Sequence, residues 1–126
     1  MGAHFLTRNI NEKGEWLNLV KQKNHSSDVS PTGSQMPRLV GLAYASKIYR
    51  KLNIKKSNYF TNDGNEIAWG TIGNASTSEG MFYEAINAAG VLQIPMITSV
   101  WDDEYGISVS NELQTTKSSI SEVLSG

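Results

Sequence analysis

The sequence predicts an α/β fold, a parallel sheet flanked by helices, and three observations carry that expectation. Apolar runs at 66–72 and 94–101 read as strands, and a helical pattern of Met81, Phe82, Ala85, Ile86, Ala88 and Ala89 lies between them. Each run ends in a polar cluster, Gly73-Asn74-Ala75-Ser76-Thr77-Ser78-Glu79-Gly80 after the first and Trp101-Asp102-Asp103-Glu104-Tyr105-Gly106 after the second. A right-handed strand, helix, strand crossover returns the chain to its starting side, so both clusters reach one sheet edge. Ligands of open α/β sheets bind along that edge.

The remaining elements follow in chain order. Residues 1–33 read as an irregular lead-in whose one amphipathic candidate spans 15–23, with Trp16, Leu19 and Val20 on a face. So long an irregular segment suits a chain packed along other parts of a larger enzyme. His4, Phe5 and the 26–33 loop are expected to border the site. From 34 to 52, Leu39, Leu42, Ala43, Ala45, Ile48, Tyr49 and Leu52 recur near helical spacing, with Ser34 as cap and Pro37 in the first turn. Lys47, Arg50, Lys51, Lys55 and Lys56 crowd the end of this helix, where cations complement its dipole. Asn62-Asp63-Gly64-Asn65 is a turn signal, with a short hairpin partner expected at 58–61. Gly90 is expected to end the crossover helix and a last helix to span 119–124.

Composition limits what this fold can do. The 126 residues suit one domain, 1–126, in which roughly two-thirds of the unfolded surface is buried. Eleven basic and 12 acidic side chains leave a net charge of −1, so no broad field attracts nucleic acid or a membrane surface. With no cysteine there is no disulfide, thiolate zinc site or cysteine nucleophile. No apolar run approaches the roughly 20 residues of a membrane span, and the first residues lack an apolar signal region, so the cytoplasm is the expected location. The three tryptophans are expected in the core or at interfaces, and His4 and His25 in structural or solvent roles.

The two clusters carry the chemistry. Gly73, Asn74 and Ala75 allow a sharp turn close to a ligand, and Ser76 with Glu79 fits an S-x-x-E capping box. A helix starting at Ser76 would aim its N–H groups and positive dipole end into the crevice, where an anion is stabilised. Asp102 and Asp103 add hard oxygen ligands suited to Mg²⁺ or Ca²⁺. Taken singly, each feature better suits an ordinary turn or a simple cap. Their convergence from separate segments is what favours a metal-bound diphosphate.

These residues carry a family resemblance. The stretch 73–106 resembles the thiamin diphosphate signature, a Gly-Asp-Gly opening and an Asn-Asn close, in the alpha-type chain of 2-oxo acid dehydrogenases, the decarboxylating component. Residues 76–80 and 101–108 are most similar to enzymes of branched-chain 2-oxo acids, including fused alpha-beta forms. Ser30-Pro31-Thr32-Gly33-Ser34-Gln35-Met36-Pro37 resembles the segment that contacts the cofactor's aminopyrimidine and opens a helix. The resemblance implies an incomplete, three-layer, Rossmann-like thiamin diphosphate fold, of which this chain is a fragment of the cofactor-binding half.

Carried over residue by residue, the resemblance places Mg²⁺ on Asn74, Asp103 and the Tyr105 carbonyl. It places the diphosphate on Gly73 and the Ala75 and Ser76 N–H groups, and the aminopyrimidine on main-chain atoms of Ser30 and Thr32. Ser34 and Gln35 match a structural cation site. Asn74 departs from the family, which has Asp or Glu there, while Asp103 replaces its usual Asn, so acid and amide are exchanged. Mg²⁺ binding should survive this, and Asn74→Asp should tighten cofactor binding, since carboxylate charge dominates such sites.

The implied activity is decarboxylation of a 2-oxo acid with acyl transfer to lipoyl. The implied partners are a beta-type chain or portion, a lipoyl-bearing acyltransferase and further subunits. The glutamate that activates the pyrimidine belongs to the beta-type portion, so no catalytic residue is assigned here and no turnover is expected of this chain alone. Pyruvate and acetoin enzymes share the same apparatus. A nucleotide- or phosphate-binding module and a degenerate remnant are the other readings, the first weakened by the absence of G-x-x-x-x-G-K-S/T and G-x-G-x-x-G motifs.

Overall fold

The computed structural model describes residues 7–27, 29–52, 54, 57–117 and 119–125. Helix α1 (Gln35–Lys51) precedes strand β1 (Ala68–Gly73), helix α2 (Gly80–Leu92) and strand β2 (Met96–Trp101). A hairpin of β3 (Tyr105–Gly106) and β4 (Val109–Ser110) and a short helix α3 (Ile120–Val123) follow. Strands β1 and β2 pair in parallel over their whole length, from Ala68 opposite Met96 to Gly73 opposite Trp101. The crossover therefore brings Asn74 and Asp102 to the same edge, as the sequence predicts.

Side chains alternate across this sheet. Ile72, Met96 and Val100 pack with Met36, Val40, Phe82, Ala85, Ile86 and Ile120, and Met36 and Phe82 are fully enclosed. Truncating Phe82 in such a core typically costs about 3–5 kcal/mol. Gly70 lets α1 come close, because a Cβ there would lie 2.8 Å from Leu39 Cδ2. The opposite face carries Trp69 and Trp101, each 71% exposed, and Ile97. Among the described residues the helices thus cover one face, an incomplete α/β arrangement.

Several expectations need correction. Of the two places expected for the tryptophans the structure removes the core and leaves the interface: Trp16 is also exposed, packing edge-on to Phe60 with centroids 5.2 Å apart. The 15–23 candidate forms only a 3-10 turn, Leu19–Lys21, capped by Asn18 Oδ1, which accepts from Val20 N–H at 3.1 Å. Its few apolar residues cannot offset the cost of helix nucleation. The expected strand at 58–61 is a 3-10 turn, Ser57–Tyr59, but the 62–65 turn is present, with Asp63 and Gly64 both at positive φ. The strand expected at 66–72 runs from Ala68 to Gly73 and is buried on one face only.

Two helix boundaries also differ in their chemistry, and a third is as expected. Ser34 precedes α1 as expected but is itself helical, φ −64° and ψ −17°, and makes no side-chain cap. Gly90 lies inside α2, and Gln93 takes the left-handed conformation that ends it, at φ 49°. Ser119 does cap α3, accepting from Glu122 N–H. Of the basic cluster, Lys47 Nζ donates to the Leu92 carbonyl at the end of α2, and Arg50 Nε to Gly64 O at 2.5 Å. Lys55 and Lys56 lie outside the described residues, as do His4 and Phe5. No described helix is long and apolar enough to cross a membrane.

Candidate functional site

Helix α2 does not begin at Ser76. A 3-10 turn, Ala75–Ser78, follows β1, and Glu79 breaks it with an extended backbone, φ −70° and ψ 132°, before α2 starts at Gly80. Neither Ser76 nor Glu79 forms a side-chain cap, so the capping-box reading is overturned. The reason is Asn74, whose carbonyl accepts from Thr77 N–H at 3.0 Å and from Thr77 Oγ1 at 2.6 Å, winding the tighter turn first. Thr77 is almost fully buried, which fixes that turn. Ala75 and Ser76 lie ahead of the first turn-closing bond, where N–H groups lack a partner within the turn.

The two strand ends are joined by hydrogen bonds. Asn74 N–H donates to Trp101 O at 3.1 Å, extending the ladder by one residue. The Asn74 side chain, 4% exposed, donates from Nδ2 to the Tyr105 carbonyl at 3.0 Å and to Asn111 Oδ1 at 2.8 Å. Asn111 Nδ2 in turn donates to Asp102 Oδ1 at 2.8 Å, which also accepts from Glu104 N–H at 2.9 Å. Asp103 is exposed, and its Oδ1 accepts from Tyr105 N–H at 3.3 Å. Close packing reinforces the junction, since a Cβ on Gly106 would lie 2.6 Å from the Ala75 Cβ.

A third segment reaches the same place. Gly33, at φ +77°, is buried, and a Cβ there would lie 3.2 Å from Glu79 Cβ and 3.9 Å from Ser76 O. The exposed Ser30 and Thr32 lie just before it, and Ser34 N–H donates to Pro31 O at 3.1 Å. Gln35 Nε2 bonds Thr71 O at 3.2 Å, tying the start of α1 to β1. The fold therefore brings Gly33 and Gln35 to the 73–80 segment and its strand, and joins that segment to residues 101–111. Gly73 sits at the end of β1, where a Cβ would meet only Ser76 Oγ at 4.0 Å, and a Cβ on Gly80 would meet nothing within 4 Å.

The donors fit a hard cation in kind, since an amide, a carboxylate and a peptide carbonyl all offer oxygen. Asn74 and Tyr105 already meet, whereas Asp103 is held in its own turn. Among the described residues no three His, Cys, Asp or Glu side chains cluster, so an ion here would depend on amide and carbonyl groups and on oxygens of its ligand.

Residues 4–126 match the family model of the dehydrogenase E1 component. The chain belongs to the dehydrogenase E1 component family. It is 30% identical over 93 residues to the 2-oxoisovalerate dehydrogenase subunit alpha of Bacillus subtilis (strain 168), covering 74% of this chain and 24% of that protein. It is 32% identical over 94 residues to the mitochondrial 2-oxoisovalerate dehydrogenase subunit alpha of Caenorhabditis elegans, covering 75% and 19%. With the pyruvate dehydrogenase E1 component subunit alpha of Acholeplasma laidlawii it shares 36% identity over 76 residues, 60% of this chain and 18% of that protein. The chain spans about a quarter or less of the length of these curated relatives.

Three E1-chain residues at the junction escaped the sequence reading. Asn111 lies in a Ser- and Thr-rich stretch with no motif around it, so only the structure shows it bridging Asn74 to Asp102. Thr77 was visible only as part of the polar cluster. Gly33 had a signal, a glycine following Pro31-Thr32, that marks a turn but not which neighbour it meets.

Proposed function

We propose that this E1-family chain holds thiamin diphosphate through Mg²⁺, as part of an enzyme that oxidatively decarboxylates a branched-chain 2-oxo acid and passes the acyl group to lipoyl. The observation that carries the reading is the buried Asn74 side chain meeting the Tyr105 carbonyl at 3.0 Å across the ends of two parallel strands. An acidic loop and a backbone turn thereby meet at the sheet edge along which α/β sheets bind ligands. Asp103 provides the carboxylate for the ion, Tyr105 its carbonyl and Asn74 its amide oxygen. Gly73 and the Ala75 and Ser76 N–H groups orient the diphosphate, and main-chain atoms of Ser30 and Thr32 position the aminopyrimidine. When bound, the cofactor supplies the carbanion chemistry by which a 2-oxo acid loses carbon dioxide.

The branched-chain substrate is supported by two of the three relatives, which are named for 2-oxoisovalerate. A beta-type chain or portion and a lipoyl-bearing acyltransferase complete the proposed assembly. The exposed sheet face of Trp69, Ile97 and Trp101 suits the third layer of the proposed fold, because parallel sheets are covered on both faces. The assembly is proposed to work in the cytoplasm.

Trp101 adjoins the acidic loop, so its fluorescence reports the site. Titration with thiamin diphosphate and Mg²⁺ should give saturable quenching in the wild type and none in Asp103→Ala. A response to ATP alone would instead favour a nucleotide-binding module, and silence toward both ligands would refute a formed cofactor site in this chain.

A further inference from the structure

We propose that Asn74 closes the junction between the two strand ends without a cation, and that a divalent ion enters only when the amide turns its Oδ1 inward. Two acceptors converge on the Asn74 Nδ2, the Tyr105 carbonyl at 3.0 Å and Asn111 Oδ1 at 2.8 Å. A peptide carbonyl can only accept. The orientation of Asn111 is set by its other end, because Nδ2 donates to Asp102 Oδ1 at 2.8 Å and a reversed amide would set oxygen against carboxylate. Both hydrogens of the Asn74 amide are therefore used, within a side chain 4% exposed. Asn74 does with two N–H bonds what an ion would do with its charge, drawing two oxygens from separate loops to one point.

The consequence is an exchange between two closures of one site. A carboxylate at position 74 would set its oxygens against two acceptors at hydrogen-bond distance, which is tolerable in a buried place only with a positive charge or a proton between them. With asparagine the ion-free form is already assembled. A cation must first displace two hydrogen bonds from a buried amide. This inference deepens the proposed metal reading of the site, but its first half stands on the hydrogen bonds alone.

The test is thermal unfolding of the full 126-residue chain, without thiamin diphosphate, in EDTA and in millimolar MgCl₂. Wild type should melt at the same temperature in both. Asn74→Asp should melt on the order of 10 °C lower in EDTA and recover most of that loss with Mg²⁺. A wild type that loses stability in EDTA, or an Asn74→Asp chain as stable in EDTA as wild type, would overturn the inference. Because that variant can fail to fold, NMR exchange of the wild-type Asn74 side-chain N–H₂ in EDTA gives a second reading. Exchange at least roughly ten-fold slower than for the exposed Asn87 supports the closure, and equal rates refute it. Since thiamin diphosphate is absent from these experiments, their failure is separate from failure of the cofactor titration.

Discussion

Gly106→Ala is the sharpest perturbation of the junction, because the backbone of Gly106 is not at positive φ and any effect must be steric. An added Cβ would lie 2.6 Å from the Ala75 Cβ and 2.7 Å from Gln114 Nε2, against about 3.5–4.0 Å for ordinary carbon contact. Gln114 is flexible and can turn away, at the loss of its 2.9 Å bond to Val109 O, about 1 kcal/mol. Ala75 cannot turn away. Its methyl is fixed to a 3-10 turn anchored by the buried Thr77, so the loop must shift by nearly an ångström, the kind of overpacking that costs roughly 1–3 kcal/mol. The sum, about 2–4 kcal/mol, is measurable as a lowered urea midpoint at unchanged slope. Adding Ala75→Gly should restore about 1–2 kcal/mol, since it removes the atom struck first. A Gly106→Ala chain as stable as wild type, or one that Ala75→Gly does not rescue, would refute the steric account of how the loops are held together.

Other expectations follow from the same geometry. Gly80→Ala meets no neighbour within 4 Å, so it should leave stability unchanged or raise it by about 0.5–1 kcal/mol; a weakened thiamin diphosphate titration in that variant would show that the diphosphate uses the space. Gly64→Ala places a Cβ 2.3 Å from Ser46 O and 2.9 Å from Arg50 N at φ +70°, and should lower stability by about 3 kcal/mol or more in a urea melt. Burial alone would raise the Glu66 carboxyl, yet its bonds from Thr61 Oγ1 and the Asn62 N–H, with Arg50 nearby, bring it below the ordinary carboxylate range. Its contribution is therefore present above the unfolded value and lost as pH falls through the lowered folded one; acid unfolding of Glu66→Gln should lack that component, and identical acid profiles would count against it. With saturating Mg²⁺, Asn74→Asp should bind thiamin diphosphate more tightly than wild type in the Trp101 titration, and equal or weaker binding would contradict the charge argument.

The sheet was legible because its signals are local and repeated. Two apolar runs separated by one helical pattern leave few topologies, and the parallel pair joined by a crossover helix is the observed one. The tryptophans lie outside the core for a physical reason. Trp69 and Trp101 occupy the same face of a parallel pair whose register sets Gly73 opposite Trp101, and large apolar residues on that face are buried only if a further layer covers it. Sequence pattern shows that a residue is apolar, not which side of the sheet the described helices take. The lead-in reading of 15–23 failed on length, since three apolar residues make a face but not a helix.

At the site, residue types were legible and hydrogen-bond roles were not. Asn74, Asp103 and Tyr105 were singled out together by the family resemblance, and the fold does bring Asn74 and the Tyr105 carbonyl together. Which atom of Asn74 faces that carbonyl depends on Asn111, and what Asn111 presents depends on Asp102, a residue on the far side of the hairpin. A capping box could be read from Ser76 and Glu79 because both are present at the right spacing, but the Asn74 carbonyl reached Thr77 first and closed a 3-10 turn instead. Chains of donors and acceptors are settled by the last member that has no choice, here a peptide carbonyl and a carboxylate that can only accept. Once those two ends are fixed, the buried amide between them has one satisfied orientation, and the junction holds its shape through a hydrogen-bond chain that ends on a carboxylate.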